Sequence, residues 1–138
     1  MNEDRRRTVQ TAYRAIALGH IEEMLNLCLS DATLTWGPFE FKGKVEIQKW
    51  AKELSTLFFS FNFIEVNLSI SENEVKHNFL IETINKDMSK GLIPATGTYH
   101  FEGEKFKTLV INLGPGRVFY KSSELDRWRE ELKRAGLR

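Results

Sequence analysis

His77 is the side chain of this sequence best surrounded for chemistry. From Val75 to Asn85 the residues alternate, which puts His77 on one strand face with Val75, Phe79, Ile81 and Thr83. An imidazole set among apolar side chains can serve as a general base near neutral pH. The competing assignment is a satisfied core histidine, or one at the solvent end of the strand, and the lack of a partner carboxylate favours it. Glu82 falls on the opposite face and reaches the ring only if a bulge resets the register. Tyr13, Tyr99 and Tyr120 could each turn a hydroxyl inward, and Tyr13 or Tyr99 is the expected proton donor. Trp36, beside the Gly37-Pro38 break, is either a wall on which a ligand stacks or a core anchor. Thr108 and Asn112 share a strand face and, with Phe79 and Tyr120, complete a mostly apolar set carrying a few polar contacts. That is the usual profile of a small-molecule site.

Other chemistries find no residues. His20, His77 and His100 have no metal-ligand spacing with Cys or acids, so neither a metal nor another cofactor is expected. No Ser-His-Asp order has a supporting context. Gly114-Pro115-Gly116 is a turn, with no helix start behind it to cradle phosphate. The aromatic run Phe58-Phe59-Ser60-Phe61-Asn62-Phe63 carries no interleaved basic residues. With a net charge of +1, nothing recommends nucleic acid or an anionic membrane as partner. No apolar run approaches the roughly 18 residues of a membrane span. The single cysteine, Cys28, excludes an intrachain disulfide and suits a reducing compartment. Arg5 to Arg7 have no apolar run behind them, so no secretory signal is read, and the expected location is cytoplasmic.

The elements that must position these residues follow from periodicity. At 138 residues the chain is most simply one domain. Val9, Ala12, Tyr13, Ile16 and Ala17 make one helical stripe, ended by Gly19. Ile21, Met24, Leu25, Cys28 and Leu29 predict a second, shorter helix with Cys28 in its core stripe. Ala32 to Trp36 reads as a short strand, and Ile47, Trp50, Ala51, Leu54 and Phe58 as the inner face of a third helix. From Phe61 the period changes to two, which predicts consecutive antiparallel strands over 62–71, 75–85, 93–101, 105–113 and 117–120. In the first, Ile64, Val66, Leu68 and Ile70 share a face. Ser123 with Asp126 caps a last helix at about 123–135, striped by Leu125, Trp128 and Leu132. The class is α+β.

Three features now stand in order. Tyr13-Arg14-Ala15 through Leu18-Gly19 is followed by a short helix ending in Ser30-Asp31-Ala32. The Trp36 strand is followed by a glycine and a helix, and Gly116-Arg117-Val118 closes a hairpin before a last strand. The chain resembles the nuclear transport factor 2-like superfamily, in its SnoaL-like and ketosteroid-isomerase-like branches, over about residues 8–121. The resemblance implies a cone: a strongly curved antiparallel sheet around helices, with an apolar pocket whose mouth Trp36 would occupy. It also puts His77, Thr108 and Asn112 on the concave face, and it implies a homodimer through the outer sheet face. The sequence adds its own argument for that dimer. In Lys105 to Leu113, Phe106 and Val110 point one way and Leu109, Ile111 and Leu113 the other, and a strand apolar on both faces needs cover on both. A partner copy is the expected cover, with the terminal helix folded back as the alternative.

The family's catalytic sets do not carry over. By position, the isomerase general base corresponds to Trp36, the oxyanion acid to about Thr108, and the first-helix tyrosine to Ala12 beside Tyr13. The Asp-Arg-Asp set of limonene-epoxide-hydrolase-like members meets Glu82-Thr83-Ile84 and Tyr120-Lys121-Ser122, which supply no Arg and no second Asp. The expectation is therefore a binder of a small, apolar organic molecule, with His77 as base if it isomerises, cyclises or hydrates that molecule. The alternative is a non-catalytic ligand-binding or protein-interaction module.

Overall fold

The computed structural model describes residues 2–58, 60–119, 127, 128, 130, 131 and 134. Helix α1 (Asn2–Leu18) buries Val9, Ala12, Tyr13, Ala15 and Ile16. Gly19 ends it at a φ of 79°. There His20 N–H donates to Ala15 C=O and Gly19 N–H to Ile16 C=O, the paired bonds that satisfy the last carbonyls of a helix. Helix α2 (Ile21–Leu25) is shorter than its apolar spacing predicts. Cys28 and Leu29 belong instead to strand β1 (Cys28–Trp36). The strand β6 (Lys105–Leu113) captures the chain there, Phe106 N–H donating to Leu27 C=O at 2.9 Å. Strand β2 (Phe39–Lys42) and helix α3 (Gly43–Leu57) follow, the helix burying Ile47, Trp50, Ala51 and Leu54. The long strands are β3 (Ser60–Ser71), β4 (Glu74–Ile84) and β5 (Lys90–Glu102), with β7 (Arg117–Phe119) short and last.

The sheet corrects the expected cone. Its strand order is β2-β1-β6-β5-β4-β3, with β7 paired to the start of β5, and it is open: β2 and β3 are free edges that do not meet. It is also mixed, because β1 runs parallel to β6 while every other pair is antiparallel. The α+β class stands; the cone of strongly curved antiparallel sheet does not. No described helix is long and apolar enough to cross a membrane.

One face of the sheet carries α1 and α3 and the main core. Tyr99, Phe79, Phe106, Met24, Leu34 and Ile47 are the largest side chains fully buried there. The opposite face holds a smaller cluster of Leu80 and Leu92, with Ile64 and Val66 packed at its margin. Trp128, in a helical stretch, covers that cluster and is itself 8% exposed. Trp128 thus takes part of the face that the sequence assigns to a partner copy.

Candidate functional site

Three sequence-predicted residues converge on the helix side of the sheet. His77 on β4 pairs with Gly97 on β5. Because Gly97 has no Cβ, the Tyr99 ring lies back across it; a Cβ there would collide with the phenol. That placement brings the Tyr99 hydroxyl to 3.2 Å from His77 Nδ1. The Tyr13 hydroxyl, delivered by the buried stripe of α1, hydrogen-bonds the Tyr99 hydroxyl in turn. Phe79, two residues along β4, stacks on the imidazole with ring centres 4.6 Å apart and planes 18° from parallel. Phe63 closes the side, 4.6 Å from the Tyr13 ring.

The carboxylate missing from the sequence reading is Glu65. Strand β3 carries a bulge: Glu65 pairs with Phe79 and Asn67 with Asn78, so Val66 is an extra residue. The extra residue leaves Phe61, Phe63 and Glu65 on the helix side of the sheet and sends Ile64 and Val66 to the Trp128 cluster. The four-residue face predicted for Ile64, Val66, Leu68 and Ile70 is therefore split in two. Glu65 Oε1 stands 3.7 Å from His77 Nε2. On its other side Arg6 Nη1 donates to Glu65 Oε2 at 3.3 Å, and Gln10 Nε2 donates to Oε1 at 3.4 Å. Arg6 and Gln10 lie one turn apart on α1, so the same helix that brings Tyr13 also orients the carboxylate.

Electrostatics follow from burial. His77 is 4% exposed, and Nε2 has no hydrogen-bond partner among the described residues. Burial, helped by the Arg6 charge, lowers its pKa from 6.5 to about 4, so the ring is neutral at pH 7. Burial likewise raises both phenols, Tyr13 and Tyr99, and keeps them protonated. With the Glu65 carboxylate beside Nε2, the ring proton is best placed on that nitrogen. Nδ1 then accepts from Tyr99, and Tyr99 from Tyr13. The result is an oriented chain of protons that ends at a carboxylate.

A pocket of about 370 Å³ opens over this chain, lined by Gln10, Tyr13, Arg14, Phe63, Glu65 and His77 among others. Its size lies at the small end of the roughly 300–1,000 Å³ typical of small-molecule sites. Other predicted residues lie elsewhere. Trp36 packs on Trp50, ring centres 5.2 Å apart, where the sequence predicts the mouth of a hollow. In the cross-strand row it stands three strands from His77, through Ile111 and Gly97. Thr108 and Asn112 are on the far face, correcting their placement on the concave side. A bulge at Lys107 puts Phe106, Leu109 and Ile111 together in the core and turns Thr108 outward to His100 Nδ1, at 3.1 Å. Tyr120 lies outside the described residues. Glu65 and Arg6 were missed, since the bulge at Val66 holds no glycine or proline that would announce it.

No protein-family model matches the chain, nor does any curated protein sequence. Solved structures do. SalBIII, an epoxide hydrolase/cyclase-like enzyme in pyran ring formation of the polyether salinomycin, aligns with a TM-score of 0.75 at 16% identity, over 86% of this chain and 98% of that one. A candidate scytalone dehydratase from Novosphingobium aromaticivorans gives 0.70 at 19% identity, over 84% and 85%. A Catenulispora acidiphila protein with a ketosteroid isomerase-like fold, in complex with trimethylamine, gives 0.69 at 12% identity, over 75% and 82%.

Proposed function

From the nuclear transport factor 2-like, ketosteroid-isomerase-like fold that this chain shares with those structures, we propose that it binds a small, largely apolar organic molecule and moves a proton on it. The reaction would be an isomerisation, a cyclisation or a hydration or its reverse. One observation carries the reading: a buried ring nitrogen without a hydrogen-bond partner, 3.7 Å from a carboxylate, at the floor of a pocket. Buried polar atoms are nearly always satisfied, and an exception beside a carboxylate and a pocket fits an atom that a ligand completes. In this reading Glu65 accepts a proton from an acidic C–H or O–H of the substrate. His77 Nε2–H donates a hydrogen bond to the oxygen on which charge develops. Tyr99 and Tyr13 fix the tautomer. Cyclase and dehydratase names among the similar structures support this class of chemistry.

A panel of small cyclic ketones incubated in D₂O, followed by proton NMR, tests it without knowledge of the natural substrate. Wild-type protein should promote deuterium uptake next to the carbonyl, and Glu65→Gln should lose about 100-fold of that rate while retaining affinity. Uptake equal in wild type and Glu65→Gln would overturn the assignment. A second reading, a non-catalytic binding module, draws support from the ion pair in which Arg6 already holds Glu65 at 3.3 Å; binding without any exchange would favour it. The proposal extends to a cytoplasmic homodimer through the outer sheet face, around Thr98 and Val110, which lie outside the Trp128 cluster. Light scattering at micromolar concentration should then give a dimer mass, and a monomer mass would remove it.

A further inference from the structure

The pocket over His77 has two chemically different ends. At the inner end the Glu65 charge is already balanced by Arg6 at 3.3 Å, and the imidazole is neutral. At the outer end stands Arg14, exposed, with no carboxylate partner among the described residues. Ala17 and the exposed Leu18 form an apolar shelf next to it. All other lining side chains are uncharged, so the pocket carries one unbalanced positive charge and carries it at the rim.

Helical spacing explains the division. Arg6, Gln10, Arg14 and Ala17 recur at i, i+4, i+8 and i+11 along α1, one row facing β3. The first two members hold Glu65. Arg14 follows one turn later, about 6 Å further along the axis. A guanidinium presents a planar fork of donors suited to a carboxylate. Between that fork and the Glu65–His77 pair lie the faces of Tyr13 and Phe63, an aromatic floor with room for a ring.

We propose that Arg14 forms an anion subsite, and that the molecule this pocket takes is an aromatic or alicyclic carboxylate. Its carboxylate lies on Arg14 and its ring on Tyr13 and Phe63, with the reacting atoms turned to Glu65 and His77. The inference rests on the site reading above and adds the substrate class.

The test compares 1-naphthoate with the neutral 1-naphthalenemethanol, using calorimetry for affinity and the His77 ring NMR signals for location. Naphthoate should bind about tenfold more tightly at low salt, and the preference should shrink as salt screens the half-exposed contact. Arg14→Gln should erase the preference while leaving the alcohol's affinity unchanged. Arg7→Gln removes the same charge elsewhere on α1 and should leave the preference intact. Equal affinity for the two probes, or a preference that survives Arg14→Gln, overturns the anion subsite. The pocket reading stands in that case if the His77 signals still shift. If neither probe moves those signals, the subsite falls together with the proposed function.

Discussion

Two buried ring nitrogens among the described residues lack a hydrogen-bond partner: Trp50 Nε1 and His77 Nε2. Each sits under an aromatic neighbour, Trp36 in one case and Phe79 in the other. Their surroundings differ. Trp50 is the anchor of α3 on β1, packed among Ile47, Ala51, Leu34 and other core side chains. No titratable side chain is tied to it among the described residues. His77 has a carboxylate within ionic reach, two phenols in series behind it, and a pocket above it. An orphaned polar atom signals function when a cavity and a proton-bearing neighbour accompany it; otherwise it is the cost of packing a large indole.

Substitutions can break or sharpen that contrast. Trp50→Ala should have the largest effect on stability, roughly 3–5 kcal/mol by denaturant unfolding, with no change in pH dependence. A small effect would mean that Trp50 is not the anchor described here. The second effect belongs to His77. Its folded pKa lies below the unfolded value, so between pH 6.5 and about 4 the unfolded chain binds more protons. Stability should therefore fall as pH falls through that window, by about 3 kcal/mol from this residue, and His77→Gln should flatten the slope. Gly97→Ala comes next: the added methyl displaces Tyr99 from His77, and overpacking of this kind costs about 1–3 kcal/mol. Glu65→Gln should be the smallest, below about 1 kcal/mol in thermal or urea melts, because Arg6 and Glu65 are each about one-third exposed. A loss several times larger would make Glu65 a structural residue and weaken the contrast.

Strand β4 shows how far the sequence could be read. Its alternation is unbroken, so Val75, His77, Phe79, Ile81 and Thr83 share the buried face their spacing predicts. Strands β3 and β6 each hold a bulge, and one extra residue inverts every side chain after it. Neither bulge contains the glycine or proline that would announce it, and the predicted faces of Glu65, Thr108 and Asn112 were lost with the register. The parallel β1–β6 pair joins residues about seventy-five positions apart, beyond any local pattern. The helical stripe bearing Tyr13 was legible because period 3.6 tolerates no such slip. The partner of His77 was illegible because a bulge supplied it.

The central claim is that His77 is a buried neutral imidazole held between Tyr99 and Glu65. Nitrogen-15 NMR of the ring through a pH titration tests it most directly. The account predicts a proton on Nε2, an accepting Nδ1, and a midpoint near the value of about 4 that burial imposes. A midpoint at the ordinary 6.5, with both nitrogens exchanging as in free imidazole, would contradict it.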